Sequence, residues 1–258
     1  MSIDLFFTIS LALLGLVMGS AVSALAWRLP RGRSWVHGRS ACPSCDHVLA
    51  ALDLVPVLSW LATRGRCRHC GCRVSPRYPA NEIVCALWAV LVYRHTGLAP
   101  MMPLVLLWGW LMVALLWIDF DFQLLPDALT FPGTLIAIAA SALGPGSRHA
   151  LFGVLMGAGL LWLVAEVYLK LRKIEGMGGG DVKLAAMFGA LLGPWGALLT
   201  IMLAAFAGSL WGGVLMLRGQ GDGKTALPFG TLLAPAAMVV YLVGDRMIGA
   251  YLGLIAPR

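Results

Sequence analysis

The chain has 258 residues, is 60% hydrophobic and only 12% charged, and carries a formal net charge of +7. Soluble domains run at about 45–50% apolar and about 25% charged residues, and a water-exposed surface cannot be covered by so few charges. This excludes an ordinary soluble enzyme, a disordered chain and a small disulfide-stapled secreted fold, and it leaves a polytopic membrane protein. The 31 glycines, 14 prolines and 10 tryptophans suit that class, because Gly and Pro are tolerated in membrane helices and Trp gathers at the interface.

A helix that crosses a bilayer needs about 20 mostly apolar residues. In chain order, eight segments answer to this: 5–27, 82–98, 101–118, 128–144, 150–169, 182–193, 196–217 and 231–255. The first reads as a retained helix, since Asp4 is its only early charge and its apolar run is longer than a signal-peptide core. The sixth is short, and Gly193-Pro194 marks either a tight turn or a kink before the seventh. Residues 28–80 are the one long polar stretch and form an insert between the first two segments.

The basic residues set an orientation. With the N-terminus outside and eight crossings, 15 of the 19 Arg and Lys fall on the inner side, and only Arg94, Arg148, Arg246 and Arg258 fall outside. That asymmetry follows the positive-inside rule. It accounts for the basic charge without nucleic acid, and it leaves a basic face toward anionic lipid.

The insert carries Cys42-Pro-Ser-Cys45 and Cys67-Arg-His-Cys70, separated by 21 residues. Paired Cys-x-x-Cys knuckles at this spacing read as a structural zinc site, in which four thiolates close a tetrahedron. Disulfides and loose cysteines are the competing readings, and an inner location argues against disulfides. Metal binding would supply the folding energy that so small a loop lacks. Cys72 is a spare that competes with Cys70; Cys85 falls in a span as a small apolar residue.

Acids in or beside spans each need a reason. Asp119 ends the third segment and Asp181 opens the sixth, after the run Gly178-Gly179-Gly180. On the eight-crossing topology both lie at the inner face. Two carboxylates brought together in apolar surroundings do not both ionise readily, which fits one as a base toward water and the other as an acid. The glycines let a peptide backbone approach. The plainer readings are a helix N-cap for Asp181 or Asp127 and an arginine partner for Asp119. Lys183 either holds a charge near Asp181 or snorkels to the interface. Asp222 reads as part of a solvated turn.

Taken together, these landmarks resemble the bacterial type IV prepilin peptidases. The resemblance rests on Gly19-Ser20, Arg28-Leu29-Pro30, the paired Cys-x-x-Cys, Pro56-Val57-Leu58-Ser59-Trp60 and Ser75-Pro76-Arg77-Tyr78-Pro79 with Glu82. It continues through Asp119 to Asp127, Gly178-Gly179-Gly180-Asp181-Val182-Lys183 and Pro228-Phe229-Gly230. It implies a Gly-x-Gly-Asp membrane aspartic peptidase with Asp119 and Asp181 as the catalytic pair. The choice of Asp119 over Asp121 follows the family pattern. It also implies cleavage of a prepilin leader after Gly, followed by N-methylation of the new terminus with S-adenosylmethionine. Two departures stand out: Ala21-Val22-Ser23 where the family commonly has Phe-x-Asn, and Thr231 where it often has Pro.

The expectation is therefore an all-α polytopic membrane bundle of about eight transmembrane segments with a small zinc-ribbon-like cytoplasmic insert. Residues 1–27 form the first membrane helix, 28–80 the zinc-binding insert linked to methyl transfer, and 81–258 the peptidase domain. Asp119 and Asp181 are the catalytic candidates, Cys42, Cys45, Cys67 and Cys70 the metal ligands, and Gly178, Gly179, Gly180 and Lys183 the supporting loop. The expected cofactors are structural zinc and S-adenosylmethionine. The expected partners are prepilins, pseudopilins and the lipid bilayer of the bacterial inner membrane, with no nucleic acid and with the site facing the cytoplasm. The rival readings are an ion or proton transporter that uses the same acids and a non-enzymatic anchor whose zinc loop docks a partner.

Overall fold

The computed structural model describes residues 2–34, 37–173, 177–219 and 228–255. The Asp222 turn lies outside the described residues, as does Gly176 at the head of the glycine run. Among the described residues the fold is all-helical, with no strand longer than an isolated bridge. The chain divides into two units, Met1–Ala99 and Pro100–Arg258.

The N-terminal unit holds α1 (Ile3–Arg28), the short α2 (Leu58–Ala62) and α3 (Arg77–Thr96), with the polar insert between α1 and α3. α1 and α3 run antiparallel: Asp4 at the start of α1 pairs with Arg94 and accepts from Tyr93 at the end of α3. Without a hydrophobic drive between helices in lipid, close backbone approach and buried hydrogen bonds hold them together. Gly15 and Gly19 supply the approach. A Cβ on Gly15 would stand 2.5 Å from the Ala86 backbone, and Gly19 is packed as tightly against Glu82. One turn further on, the buried Asn81 amide donates to Ser23 Oγ at 3.0 Å.

The C-terminal unit holds α4 (Met102–Phe122), α5 (Asp127–Ala142), α6 (Ser147–Arg172), α7 (Gly179–Leu217) and α8 (Gly230–Ile255). α6 and α8 pack on α7, α5 lies against α4 and α7, and α4 lies against α8. A straight helix of 39 residues would reach about 58 Å, about twice the hydrocarbon core of a bilayer. α7 is not straight. Gly193, with φ 69° and ψ −176°, breaks it just before Pro194, in a backbone region open essentially only to glycine. A Cβ on Gly157 of α6 would stand 2.7 Å from Ala185 O and 3.4 Å from Ala197 Cβ. Both limbs of α7 thus flank the same turn of α6, so the chain folds back at Gly193. The sixth and seventh sequence segments are the two limbs.

All eight sequence segments are helical in the structure. Among the described residues, five helices are long and apolar enough to cross a membrane, α7 among them, and α5 is a shorter apolar helix. α3 covers the second segment but also carries Asn81, Glu82 and Arg94. The first two helices of the C-terminal unit, α4 and α5, are tied to α7 by buried bonds: Trp108 Nε1 donates to Met187 O at 3.3 Å, and Ser141 Oγ to Ala190 O at 2.6 Å.

The α6–α7 contact predicts that Gly157→Leu lowers stability by about 1–3 kcal/mol, the usual overpacking penalty. Gly159→Leu should be close to neutral, because nothing lies within 4 Å of a Cβ there. Thermal unfolding of the two variants in detergent checks this, and equal tolerance of both would contradict the close approach.

Candidate active site

Four helix ends converge in the C-terminal unit. α4 ends in Asp119, which is 5% exposed; α7 begins with Asp181, which is 9% exposed. The two carboxyls are close enough for the Asp119 charge to act on Asp181. Asp121, two residues beyond Asp119, is exposed.

The start of α8 holds Asp119. Thr231 donates twice to Asp119 Oδ2, from its backbone N–H at 2.7 Å and from its hydroxyl at 3.0 Å. A proline at position 231 would have no N–H to give. Asp119 therefore has a threonine partner, where the sequence suggested an arginine. Gly230 lets this contact form, since a Cβ there would stand 3.0 Å from both the Asp119 carboxyl carbon and Leu125 Cδ1.

Leu125 joins the two acids' surroundings. Its side chain also approaches Gly180, where a Cβ would stand 2.9 Å away. Gly180 is thus small because Leu125 fills the space beside Asp181. Gly178 is the N-cap residue of α7, and Asp181 is its third helical residue. The side chain of Asp181 does not cap the helix; it turns into the bundle. Gly179 faces open space. The first turn of α7 thus offers bare backbone beside a buried acid.

Asp127 and Lys183 form a separate link. Lys183 Nζ lies 2.6 Å from Asp127 Oδ1 and 5.5 Å from the centre of the Phe131 ring, clamping α7 to α5. Lys183 therefore neutralises Asp127, which is the first residue of α5 and not its cap.

In the N-terminal unit the four cysteines of the two knuckles come together. The sulfurs of Cys42, Cys45, Cys67 and Cys70 all lie within 4.8 Å of one another and can hold a metal ion. Each knuckle is closed by an antiparallel bridge, Ala41 to Val48 and Arg66 to Arg73, which is the ribbon expected of such an insert. Backbone N–H groups turned toward the sulfurs favour thiolates, the species a metal takes. That of Ser44 is the main reason the Cys42 thiol is pulled down to about 6. Cys72 also lies near, its sulfur 3.4 Å from that of Cys42. A hydrogen bond with the Ser44 side chain favours its thiolate, but the neighbouring Cys70 and Cys42 outweigh it and push the thiol up to about 11.

Two polar residues, one half-buried and one buried, were not singled out from sequence as site candidates. Thr231 entered only as a departure from a family pattern. Glu82 entered only as a landmark, yet it is 7% exposed in α3 and accepts from Val57 N–H at 2.7 Å. An acid at the start of an apolar segment was the available signal for Glu82.

Known proteins match along nearly the whole chain. Residues 13–96 match the model for the bacterial peptidase A24 N-terminal domain. Residues 104–213 match the model for the type IV leader peptidase family. A prepilin leader peptidase/N-methyltransferase of Stutzerimonas stutzeri is 35% identical over 96% of this chain and 94% of its own length. Proteins of the same name from Aeromonas hydrophila and Myxococcus xanthus are each 40% identical, over 83% of this chain and 74% and 64% of their own lengths. No solved structure matches the chain. With matches of this extent along both units, the chain belongs to the type IV leader peptidase family and is a multi-pass membrane enzyme.

Proposed function

We propose that this enzyme cuts the leader from type IV prepilins and pseudopilins after a Gly, at the cytoplasmic face of the bacterial inner membrane. Asp119 and Asp181 are its catalytic pair. The observation that carries the proposal is the burial of these two acids beside each other where α4, α7 and α8 meet. The positive-inside charge distribution supports the cytoplasmic side.

The chemistry follows from the pair. One carboxylate takes a proton from water as its oxygen adds to the scissile carbonyl, while the other carboxyl gives its proton to the carbonyl oxygen. When the C–N bond breaks, the leaving amine takes a proton from the pair, and no covalent enzyme intermediate forms. The two Thr231 donors occupy Asp119 Oδ2, so this carboxylate has a fixed orientation before substrate arrives. The bare Gly178-Gly179 backbone gives an extended leader junction room to lie beside Asp181, Gly180 makes way for Leu125, and Lys183 supports that turn through Asp127.

The same protein then N-methylates the new terminus with S-adenosylmethionine, the activity carried in the names of its relatives. Residues 28–80 serve that step and hold one structural zinc on Cys42, Cys45, Cys67 and Cys70. Zn–S bonds of about 2.3 Å put tetrahedral thiolates about 3.8 Å apart, and the Cys42 and Cys70 sulfurs are 3.8 Å apart. Four thiolates leave no open position, so the metal folds the insert and does not touch substrate. Residues 1–27 are the first membrane helix and 81–258 the peptidase domain.

The test is purified protein with a prepilin peptide, read by mass spectrometry. Asp119→Asn and Asp181→Asn should each lower cleavage at least about 100-fold, the low end for losing an acid–base group. Full processing by either variant would refute the assignment. Thr231→Val keeps the N–H but loses the hydroxyl, and should slow cleavage about tenfold, as expected for one hydrogen bond to a charged group. Metal analysis should find one zinc per chain, with little or none in Cys67→Ser; an unchanged zinc content in that variant would count against the four-thiolate site.

A further inference from the structure

The insert of the N-terminal unit turns apolar side chains outward over one short stretch. Leu52, Leu58 and Leu61 are 69%, 65% and 57% exposed, and Leu54 and Val55 are exposed as well. Leu58 and Leu61, three residues apart, share one face of α2. The polar groups of the stretch turn to the insert instead. Trp60 Nε1 donates to Val74 O at 3.1 Å, and Asp53 pairs with Arg68 at 2.9 Å. The stretch is thus amphipathic, with its apolar side outward.

Its depth follows from helix geometry. α1 and α3 leave the hydrocarbon together at one end, where Asp4 pairs with Arg94 at 3.2 Å. From Asp4 to Gly19, α1 rises about 22 Å. At Gly19 the two helices are in backbone contact, since a Cβ there would stand 2.4 Å from Glu82 Cα. A hydrocarbon core is about 30 Å thick, so the Glu82 backbone lies about 8 Å inside the opposite surface. Tilt of the pair, or charges standing clear of the hydrocarbon at Asp4, places it deeper still. The Glu82 side chain is too short to cover that distance, and its carboxylate accepts the Val57 N–H at 2.7 Å. The chain just before Leu58 therefore reaches the apolar layer of the bilayer.

Backbone can sit at that depth only where its polar groups are satisfied within the protein, and this turn meets the condition. Pro56 has no N–H, Val57 N–H goes to Glu82, Leu58 N–H donates to Pro56 O, and Ser59 N–H donates to Val55 O at 3.1 Å. Val57 takes φ 60° and ψ −50° in this turn, a region that β-branched residues avoid. Glu82 gains a donor in return, at a depth where water is scarce. Just past α2, Arg64 and Arg66 are exposed, and arginines at an interface reach headgroup phosphates on their long stems.

We propose that residues 52–61 are a re-entrant element. The insert dips back into the membrane and seats Leu52, Leu58 and Leu61 among the phospholipid acyl chains of the leaflet on its own side. This anchors the insert to the membrane at a point between its two cysteine knuckles.

The experiment is photocrosslinking of the full-length protein in vesicles of phosphatidylethanolamine and phosphatidylglycerol. p-Benzoylphenylalanine replaces Leu58, or Leu61 if the first variant does not unfold thermally as the wild type does. A reference sample carries the label at Leu87, which is exposed in the apolar part of α3. After irradiation, mass spectrometry should show a shift of one phospholipid, joined through an acyl chain, in the labelled insert and in the reference. A lipid adduct at Leu87 with none at Leu58 or Leu61 would mean that the insert stands off the membrane, and overturns the proposal. An adduct confined to headgroup atoms overturns it too. So does an adduct to a second copy of this chain or to added prepilin peptide in place of lipid, which would make the apolar side a protein-binding face.

Discussion

A carboxyl group taken out of water without a charge partner costs several kcal/mol when ionised, and the C-terminal unit keeps two of them within electrostatic reach of each other. Much of the local architecture answers to that constraint. α8 begins at Gly230 so that Thr231 can turn both its donors on Asp119. Leu125 fills the gap between Gly230 and Gly180 and keeps the surroundings apolar. Lys183 spends its charge on Asp127, at the outer edge of the same turn. The acids are thereby left to each other, which is the condition for one proton to be shared between them.

The reversal at Gly193 supports this arrangement from a distance. The first limb of α7 has to deliver Asp181 to the end of α4 and then make room for a second crossing. Folding back around α6 does both, and it demands small residues wherever backbones touch. Gly153 and Gly157 on α6 meet Gly189 and Ala185 on α7. Gly15, Gly19 and Ser23 repeat the device between α1 and α3 in the N-terminal unit. Such stripes give helix association in lipid its specificity.

The features most legible in the sequence were those carried by local pattern. Apolar runs marked every helix except the short α2, and the spacing of Cys42, Cys45, Cys67 and Cys70 marked the cluster that the fold assembles. Asp119 and Asp181 stood out because acids are rare in such runs. Less legible was anything that depends on which helices touch. Gly15 and Gly19 have the spacing of a packing stripe, yet among 31 glycines that spacing alone does not name the facing helix. Whether Gly193-Pro194 bends or reverses the chain depends on α6, not on the dipeptide. Thr231 lies 112 residues from Asp119, and nothing local announces that a threonine N–H will replace the arginine partner that charge pairing suggested. Asp181 and Asp127 both looked like caps, because capping residues and buried acids share a sequence position at helix starts and only burial separates them.

The two units differ in the polar groups that they hold. One surrounds a pair of acids with helix ends, and the other brings together four cysteines that can hold a metal ion. The central claim concerns the acids and is tested most directly with a prepilin peptide whose scissile amide is replaced by a hydroxyethylene group, which mimics the tetrahedral intermediate and should bind more tightly than substrate. A structure of that complex should show the inhibitor hydroxyl within hydrogen-bonding distance of both Asp119 and Asp181. A hydroxyl that reached only one of them, or that bound elsewhere in the protein, would contradict the account.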